Sequence, residues 1–252
     1  MTRAETNHRG ITIAGEFIPV KAIGFDKDGT LFHAEAFWDY VDEMRKENFV
    51  RIVGEEHGHL WNQAMGTDQP GKIDYQGVLA VATLQEEIII IAGLIYLLKR
   101  YPWFQCRTLA ESIFKEADRH MQLEKAFLRK EGVPEIFHRL TTRNIRTCIV
   151  TSDHALRTKA CVDLLGIEEL LDFIITPEAV TKGKPDPEMT LEACRRLQIQ
   201  PHEFAVVGDS IVDMRMAKAA GSIAIGVVTH EGSREMLEKE CDYLIESLVE
   251  IE

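Results

Sequence analysis

The chain has 252 residues, of which 45% are apolar and 28% are charged, as in an ordinary globular protein with one large domain or a core and a second lobe. Its formal net charge of −12 argues against a nucleic-acid-binding protein and against one held on anionic lipid. A small phosphorylated substrate is compatible with this charge, because a few lysines and a metal ion can reverse the sign locally.

The N-terminus, the cysteines and the most apolar run together indicate a cytoplasmic protein without a membrane anchor. Residues 1–10 lack the apolar core of a signal peptide. The five cysteines are scattered with no C-x-x-C pair, so we expect reduced thiols rather than a disulfide framework. The run at 88–98 is far shorter than the roughly 20 apolar residues of a membrane-spanning helix, so we expect a buried helix.

In chain order, the first predicted elements are a hairpin and a strand. Residues 11–14 and 17–20 are β-rich and flank Gly15-Glu16, which is typical of a hairpin. The apolar run 22–25 predicts a strand, and it ends in two aspartates, Asp26 and Asp28. Two carboxylates so close repel each other and need a cation or a proton between them. This pair therefore predicts hard-metal chemistry at the end of the strand.

The next segment, from 34 to about 124, predicts helices and no strand series. Long helical patterns cover 34–50, 78–100 and 107–130, and a loop at 66–71 interrupts them. We interpret this segment as a helical cap at 36–125, inserted into a catalytic core that is formed by 1–35 and 126–252.

After about residue 126, short β-rich runs alternate with amphipathic helices. The predicted strands are 145–150, 173–175, 204–207 and 223–228, and the predicted helices are 154–165, 187–197, 211–220 and 233–240. This alternation predicts an α/β fold with a doubly wound, mostly parallel sheet and right-handed crossovers. The acidic C-terminus, 246–252, predicts a solvated helix end.

Polar residues follow four of the predicted strands or their connections. They are Asp26, Asp28 and Thr30, then Thr151 and Ser152, then Lys184 before Pro185 and Pro187, and finally Asp209 and Asp213. Because the carboxyl ends of parallel strands share one edge of a sheet, these side chains are expected to converge there. Lys182 is a rival to Lys184, but the two prolines favour Lys184.

The order and spacing of these segments resemble the haloacid dehalogenase-like (HAD) hydrolase superfamily. The resemblance covers 20–35 and roughly 126–250, and it implies a Rossmann-like core sheet. Residues 131–136 and 219–221 look like the branch that contains phosphoglycolate phosphatases and β-phosphoglucomutases. A helical insertion directly after the first motif is similar to the C1 cap of that branch.

The resemblance implies a phosphatase that works through an aspartyl-phosphate. Asp26 is then the nucleophile, and Asp28 protonates the leaving oxygen before it deprotonates water. Thr151 and Ser152 hold the phosphoryl oxygens with the help of a helix N-terminus, and Lys184 neutralises the reacting groups. Asp28 favours phosphate transfer over carbon–halogen cleavage, because a halide leaving group needs no acid.

The resemblance also implies a Mg²⁺ cofactor, which prefers oxygen ligands. Asp26, the backbone carbonyl of Asp28 and Asp209 supply ligands, and Asp213 serves either as a direct ligand or as the partner of a metal-bound water. Asp213 has a second interpretation, as an acid in the first turn of a helix that favours the helix dipole.

Two other functions are alternatives. One is a β-phosphoglucomutase-like phosphotransferase, which shares all four motifs. The other is a non-catalytic binding protein with the HAD fold, which predicts at least one damaged motif, whereas none is damaged in this sequence. In each case the partner is a small phosphorylated metabolite whose identity the sequence does not give, and the chain is a monomer or a homodimer. Lys27 departs from the apolar or aromatic residue that relatives usually carry between the two aspartates, and the pattern offers no reason for it.

Five further residues have ordinary structural interpretations. We expect Arg157 and Lys159 to be surface charges. Trp61, Trp103 and Phe104 are expected to pack in the core of the helical lobe rather than to line a pocket.

Overall fold

A computed structural model describes residues 9–68, 73–230 and 232–252, which form two compact units. The first unit contains 9–33, 128–151 and 158 onward, and the second contains 34–127 and 152–157. The predicted division into core and cap stays a prediction. Residues 1–8 of the N-terminus and 69–71 of the predicted loop lie outside the described residues. Within the described ranges, no helix combines the length and apolar character that crossing a membrane requires.

The first unit contains a hairpin and a six-stranded sheet. The hairpin pairs β1 (Ile11–Ile13) with β2 (Glu16–Ile18), and Ala14 and Gly15 turn between them with positive φ. The sheet consists of β3 (Ala22–Phe25), β4 (Arg146–Val150), β5 (Phe173–Ile175), β6 (Phe204–Gly208), β7 (Ile223–Val227) and β8 (Tyr243–Ile245). Its order is β5-β4-β3-β6-β7-β8, and all neighbours are parallel.

This order confirms the doubly wound α/β sheet and places β3 in the middle of it. Every residue of β3 is buried, because β4 and β6 flank it and helices cover both faces. A central strand at the point where the chain changes direction is where ligands of open α/β sheets bind. The residues after β3 therefore stand at the expected position for a site.

The helices of the second unit follow the predicted pattern with two corrections. They are α1 (Ala34–Val53), α2 (Gly58–Met65), α3 (Val78–Val81), α4 (Leu84–Lys99) and α5 (Trp103–His120). The predicted helix 78–100 is interrupted because Thr83 is extended and its side chain caps α4 in a capping box with Glu86. The predicted helix 107–130 starts earlier, directly after Pro102, and ends at His120.

The core of the second unit is aromatic. Trp61 is fully buried, as predicted, and its ring lies 5.4 Å from Phe49 and 6.0 Å from Phe114. Trp103 and Phe104 were expected in this core, but they are 45% and 77% exposed. They occupy the first turn of α5, N-terminal to the part of the helix that is buried, and Trp103 packs edge-on against Tyr96.

The second unit also contains a buried network of charged side chains. Arg45 donates to both oxygens of Glu87, at 3.1 and 3.2 Å. Arg157 pairs with Asp153 through two hydrogen bonds and lies 3.7 Å from Asp118. The prediction that Arg157 is a surface charge is therefore wrong, because it has carboxylate partners that compensate for its burial. Burial alone would lower the pKa of Arg157, but Asp153 and Asp118 raise it by more than burial lowers it. The net pKa is therefore raised, and the side chain stays charged.

The first unit adds helices that alternate with its strands. They are α6 (Glu135–Thr142), α7 (Ala155–Leu165), α8 (Glu188–Leu197), α9 (Ile211–Ala220) and α10 (Ser233–Leu237). The first three residues of α7 group with the second unit. Lys159 in α7 is exposed, as predicted. The C-terminus is not a solvated helix end, since Leu248 and Ile251 are buried and Glu252 N–H donates to Thr12 O at 2.9 Å. Leu248 and Ile251 thus pack inward among acidic residues, whereas Val249 is exposed.

Candidate active site

Asp26 occupies the position directly after β3. Its backbone N–H donates to Val207 O of β6 at 2.8 Å, which continues the sheet by one residue and fixes the backbone. The residue is 8% exposed. The central strand therefore presents this carboxylate at the carboxyl edge of the sheet, where the sequence predicts it.

Lys184 lies within ion-pair distance of two of the predicted acids. Its Nζ is 2.6 Å from Asp26 Oδ1 and 2.6 Å from Asp213 Oδ1, and its side chain is 3% exposed. Burial alone would lower the pKa of Lys184, but Asp213 and Asp26 raise it by more than burial lowers it. The net pKa is therefore raised, and the ammonium stays protonated. Lys182, the rival in the sequence, is 72% exposed and pairs with Asp186 instead.

Asp26, Asp209 and Asp213 form a compact group of carboxylates. One oxygen of each lies within 4.8 Å of the others. The pKa of Asp26 is raised to about 7, because burial, together with Asp213 and Asp28, raises it by more than Lys184 lowers it. Burial, Asp26 and Asp213 raise the pKa of Asp209 well above its usual range.

A group of this kind fits a hard divalent cation. Like charges so close are unfavourable unless a proton or a cation lies among them, and Mg²⁺ takes carboxylate oxygens as ligands. Lys184 supplies one positive charge to three carboxylates. The donor set therefore matches the predicted magnesium site, with Asp26, Asp209 and Asp213 as the candidate side-chain ligands.

Gly29 and Thr30 shape the position of Asp209. Gly29 has φ +74°, and a Cβ at this position would lie 2.0 Å from Asp209 Oδ2. Thr30 is fully buried and its hydroxyl donates to Asp209 Oδ1 at 3.1 Å. The sequence singled out Thr30 as part of the motif but did not predict that these two residues position the carboxylate of Asp209, which follows β6.

Asp213 lies in the first turn of α9 and also contacts Lys184, whereas its role toward a metal stays a prediction. Ser210 begins α9 as its N-cap, and its hydroxyl and backbone N–H donate to Asp213 Oδ2. The other carboxylate oxygen of Asp213 pairs with Lys184. The same side chain thus caps the helix and joins the site. Ser210 was missed, although the S-x-x-D spacing at a helix start is a recognisable signal.

Thr151 and Ser152 follow β4 and fall in different units. Thr151 is buried in the first unit, and its backbone N–H donates to Ile175 O of β5 at 3.1 Å. Ser152 begins the segment 152–157 that groups with the second unit. Their proposed contacts with a phosphoryl group stay predictions.

Asp28 and Lys27 form an ion pair that the sequence did not anticipate. Lys27 Nζ is 2.7 Å from Asp28 Oδ2, and their side chains are 0% and 18% exposed. Asp28 is thus the more accessible of the two, and it follows Asp26 at the same edge of the sheet. This pair gives Lys27 a local partner.

One family of known proteins matches the region of the chain that carries the predicted motifs. A family model described as haloacid dehalogenase-like hydrolase matches residues 20–221, which is most of the chain. The structure is similar to that of a HAD hydrolase of family IA, variant 3, from Entamoeba histolytica, with a TM-score of 0.65, 24% identity and coverage of 92% of this chain and 96% of the other. At this identity the likeness shows the fold alone.

Curated relatives match over a shorter region. A phosphoglycolate phosphatase from Nitrosospira multiformis is 37% identical over 123 residues, 47% of this chain and 53% of that protein. Validoxylamine A 7'-phosphate phosphatase from Streptomyces hygroscopicus subsp. limoneus is 31% identical over 121 residues, 48% of this chain and 56% of that protein. The chain thus spans about half the length of these curated relatives.

Proposed function

The chain belongs to the haloacid dehalogenase-like hydrolase family, and we propose that it is a Mg²⁺-dependent phosphatase that hydrolyses a small phosphorylated metabolite through an aspartyl-phosphate. One observation carries the proposal: Lys184 bridges Asp26 and Asp213 while Asp209 completes a buried carboxylate group. A nucleophilic carboxylate, a fixed cation and a metal-ligand set close together at one edge of the sheet are what phosphoryl transfer requires.

The proposed reaction has two steps on Asp26. In the first, a carboxylate oxygen of Asp26 forms a bond to phosphorus as the ester bond breaks, and Asp28 gives a proton to the leaving alcohol. In the second, Asp28 takes a proton from water, which attacks phosphorus and releases inorganic phosphate and the free carboxylate. Lys184 balances negative charge in both steps, and Thr151 and Ser152 bind the phosphoryl oxygens.

The metal site is part of the proposal. Asp26, Asp209, Asp213 and the backbone carbonyl of Asp28 would hold Mg²⁺. When bound, the ion offsets the negative charge of the phosphoryl group and of the surrounding carboxylates. The raised pKa values of Asp26 and Asp209 support this assignment, because buried carboxylates so close together are unfavourable as anions unless a cation lies among them.

The substrate is proposed only as a class. The two curated relatives are named for chemically different phosphate esters, so similarity over the shared region does not select between them. We propose that the second unit is the cap that chooses the substrate, and that no nucleic acid or membrane is a partner. We also propose a cytoplasmic location and a monomer or homodimer.

The test is hydrolysis of p-nitrophenyl phosphate and a panel of phosphate monoesters with and without Mg²⁺. We expect activity that depends on Mg²⁺ and is abolished in Asp26→Asn, which keeps the shape of the side chain but removes its charge. Asp163→Asn, on the exposed face of α7, is the matched control and should remain active. No hydrolysis of any ester with Mg²⁺ present would contradict the proposal, and full activity in Asp26→Asn would show that the nucleophile is misassigned.

A further inference from the structure

Lys27 is a buried lysine that stands in the sequence between two acids of the proposed active site. Its side chain is 0% exposed, although it stands between two acids at the edge of the sheet. The ammonium lies 2.7 Å from Asp28 Oδ2 and 5.1 Å from the centroid of the Phe32 ring, and Cys161 Sγ is 3.8 Å away. The ammonium therefore forms an ion pair with Asp28 and also contacts Cys161 and the ring of Phe32.

Because the Lys27 ammonium is buried, it needs close and well-oriented partners. A buried charge is unfavourable unless it is paired and hydrogen-bonded, and the face of an aromatic ring adds a weaker attraction. Phe32 and Cys161 enclose the end of the lysine side chain, so the ammonium is held in place by packing. A fixed cation in turn restricts the rotation of the carboxylate bound to it.

We propose that Lys27 is a positioning residue for Asp28. By binding Oδ2 it sets the orientation of the carboxylate and leaves Oδ1 to exchange the proton. This inference rests on the proposed function, in which Oδ1 gives a proton to the leaving alcohol and later takes one from the attacking water. Lys27 keeps its own protons throughout, so the proton balance of the two steps is unchanged.

The proposal predicts an effect that depends on the leaving group. Lys27→Met keeps the aliphatic stem and removes the ammonium, so Asp28 loses its fixed orientation. We expect kcat for an alkyl phosphate to fall about 10- to 100-fold with little change in KM, because misplacement of a reacting group by about 1 Å is that costly. p-Nitrophenyl phosphate should be affected much less, because p-nitrophenolate leaves without a proton.

The decisive experiment is a double-mutant cycle with Asp28→Asn, measured with both esters. If Lys27 acts through Asp28, Lys27→Met should cause no further loss in the Asp28→Asn background. Lys159→Met is the matched control, since it removes an exposed lysine 3.0 Å from a carboxylate, and it should leave the leaving-group dependence unchanged. Additive losses, or equal losses for the two esters, would overturn the inference.

Two measurements separate the possible failures. Wild-type protein that hydrolyses neither ester with Mg²⁺ overturns the proposed function itself, whereas active wild type with an unaffected Lys27→Met overturns only the role of Lys27. Thermal protection of Lys27→Met by Mg²⁺ and BeF₃⁻ is expected to match wild type, because the nucleophile is untouched. If Lys27→Met does not fold, Lys27→Leu, which also removes the ammonium, is judged by the same cycle and the same criteria.

Discussion

Gly29→Ala tests whether the first motif positions a carboxylate from another strand. The backbone at Gly29 has φ +74°, which costs an L-residue about 1–2 kcal/mol. The new Cβ would also lie 2.0 Å from Asp209 Oδ2, where ordinary contact begins at 3.4 Å. The carboxylate must therefore retreat by more than about 1 Å, a displacement that typically costs about 100-fold in rate.

Gly166→Ala is a matched control for the backbone term. Gly166 has φ +70° at the end of α7, and a Cβ there would have no neighbour within 4 Å. Both variants should lose about 1–2 kcal/mol of stability in thermal or urea unfolding. In p-nitrophenyl phosphate hydrolysis, Gly29→Ala alone should lose about 100-fold in activity and need more Mg²⁺ for half-maximal rate.

One result would refute the proposed role of the contact between Gly29 and Asp209. If Gly29→Ala keeps activity and Mg²⁺ dependence within a few-fold of Gly166→Ala, then the contact with Asp209 is not important. The assignment of Asp209 as a metal ligand would then lose its main support from the geometry of the first motif.

Three further predictions concern stability, measured by urea or thermal unfolding. The Trp61 indole N–H donates to Asp42 Oδ1 at 2.7 Å. Asp42→Ala should lower the free energy of unfolding by about 1–3 kcal/mol, because it leaves this buried N–H without an acceptor. Asp42→Asn should change the free energy of unfolding little, because its amide oxygen can still accept. Glu87→Leu should cost about 3–5 kcal/mol by leaving Arg45 unpaired, and adding Arg45→Met should recover most of this. Hydrogen bonds from two arginines of its own helix lower the pKa of Glu192 to about 2. Glu192→Gln should therefore lower the melting temperature slightly at pH 7. The difference in melting temperature between wild type and variant should disappear as the pH falls from 4.5 toward 2, because the carboxylate becomes protonated.

Each of these stability predictions has a contradicting result. Equal losses in Asp42→Ala and Asp42→Asn would mean that the tryptophan hydrogen bond is unimportant. A double variant at Arg45 and Glu87 that is no better than Glu87→Leu would show that the cost is packing rather than charge. A Glu192→Gln effect that persists at pH 2 would show that it does not come from ionisation.

The sheet and the acids at its edge could be predicted from sequence because both signals are local. Apolar runs and their spacing predict a buried strand followed by Asp26 and later strands followed by Thr151 and Asp209. Parallel pairing brings the carboxyl ends of these strands together, so their convergence can be predicted without knowing any side-chain contact. The choice of Lys184 over Lys182 also depended on its neighbouring prolines, and the ion pair with Asp26 agrees with it.

The contacts that sequence reasoning missed join segments distant in the chain. Arg157 looks like a surface charge in its own helix, but Asp118, which lies close to it, comes from α5. Thr30 donates to Asp209, 179 positions later, which no local pattern encodes. Lys27 was conspicuous in the sequence, yet its burial and its ion pair with Asp28 emerge only when Phe32 and Cys161 pack around it.

The most direct test of the central claim is thermal protection by BeF₃⁻ with Mg²⁺, a mimic of the phosphoryl group on an aspartate. We predict a rise in melting temperature that requires both components, is retained in Asp28→Asn and is lost in Asp26→Ala. Protection that survives in Asp26→Ala would contradict the account, because the phosphoryl group would then be carried by another residue.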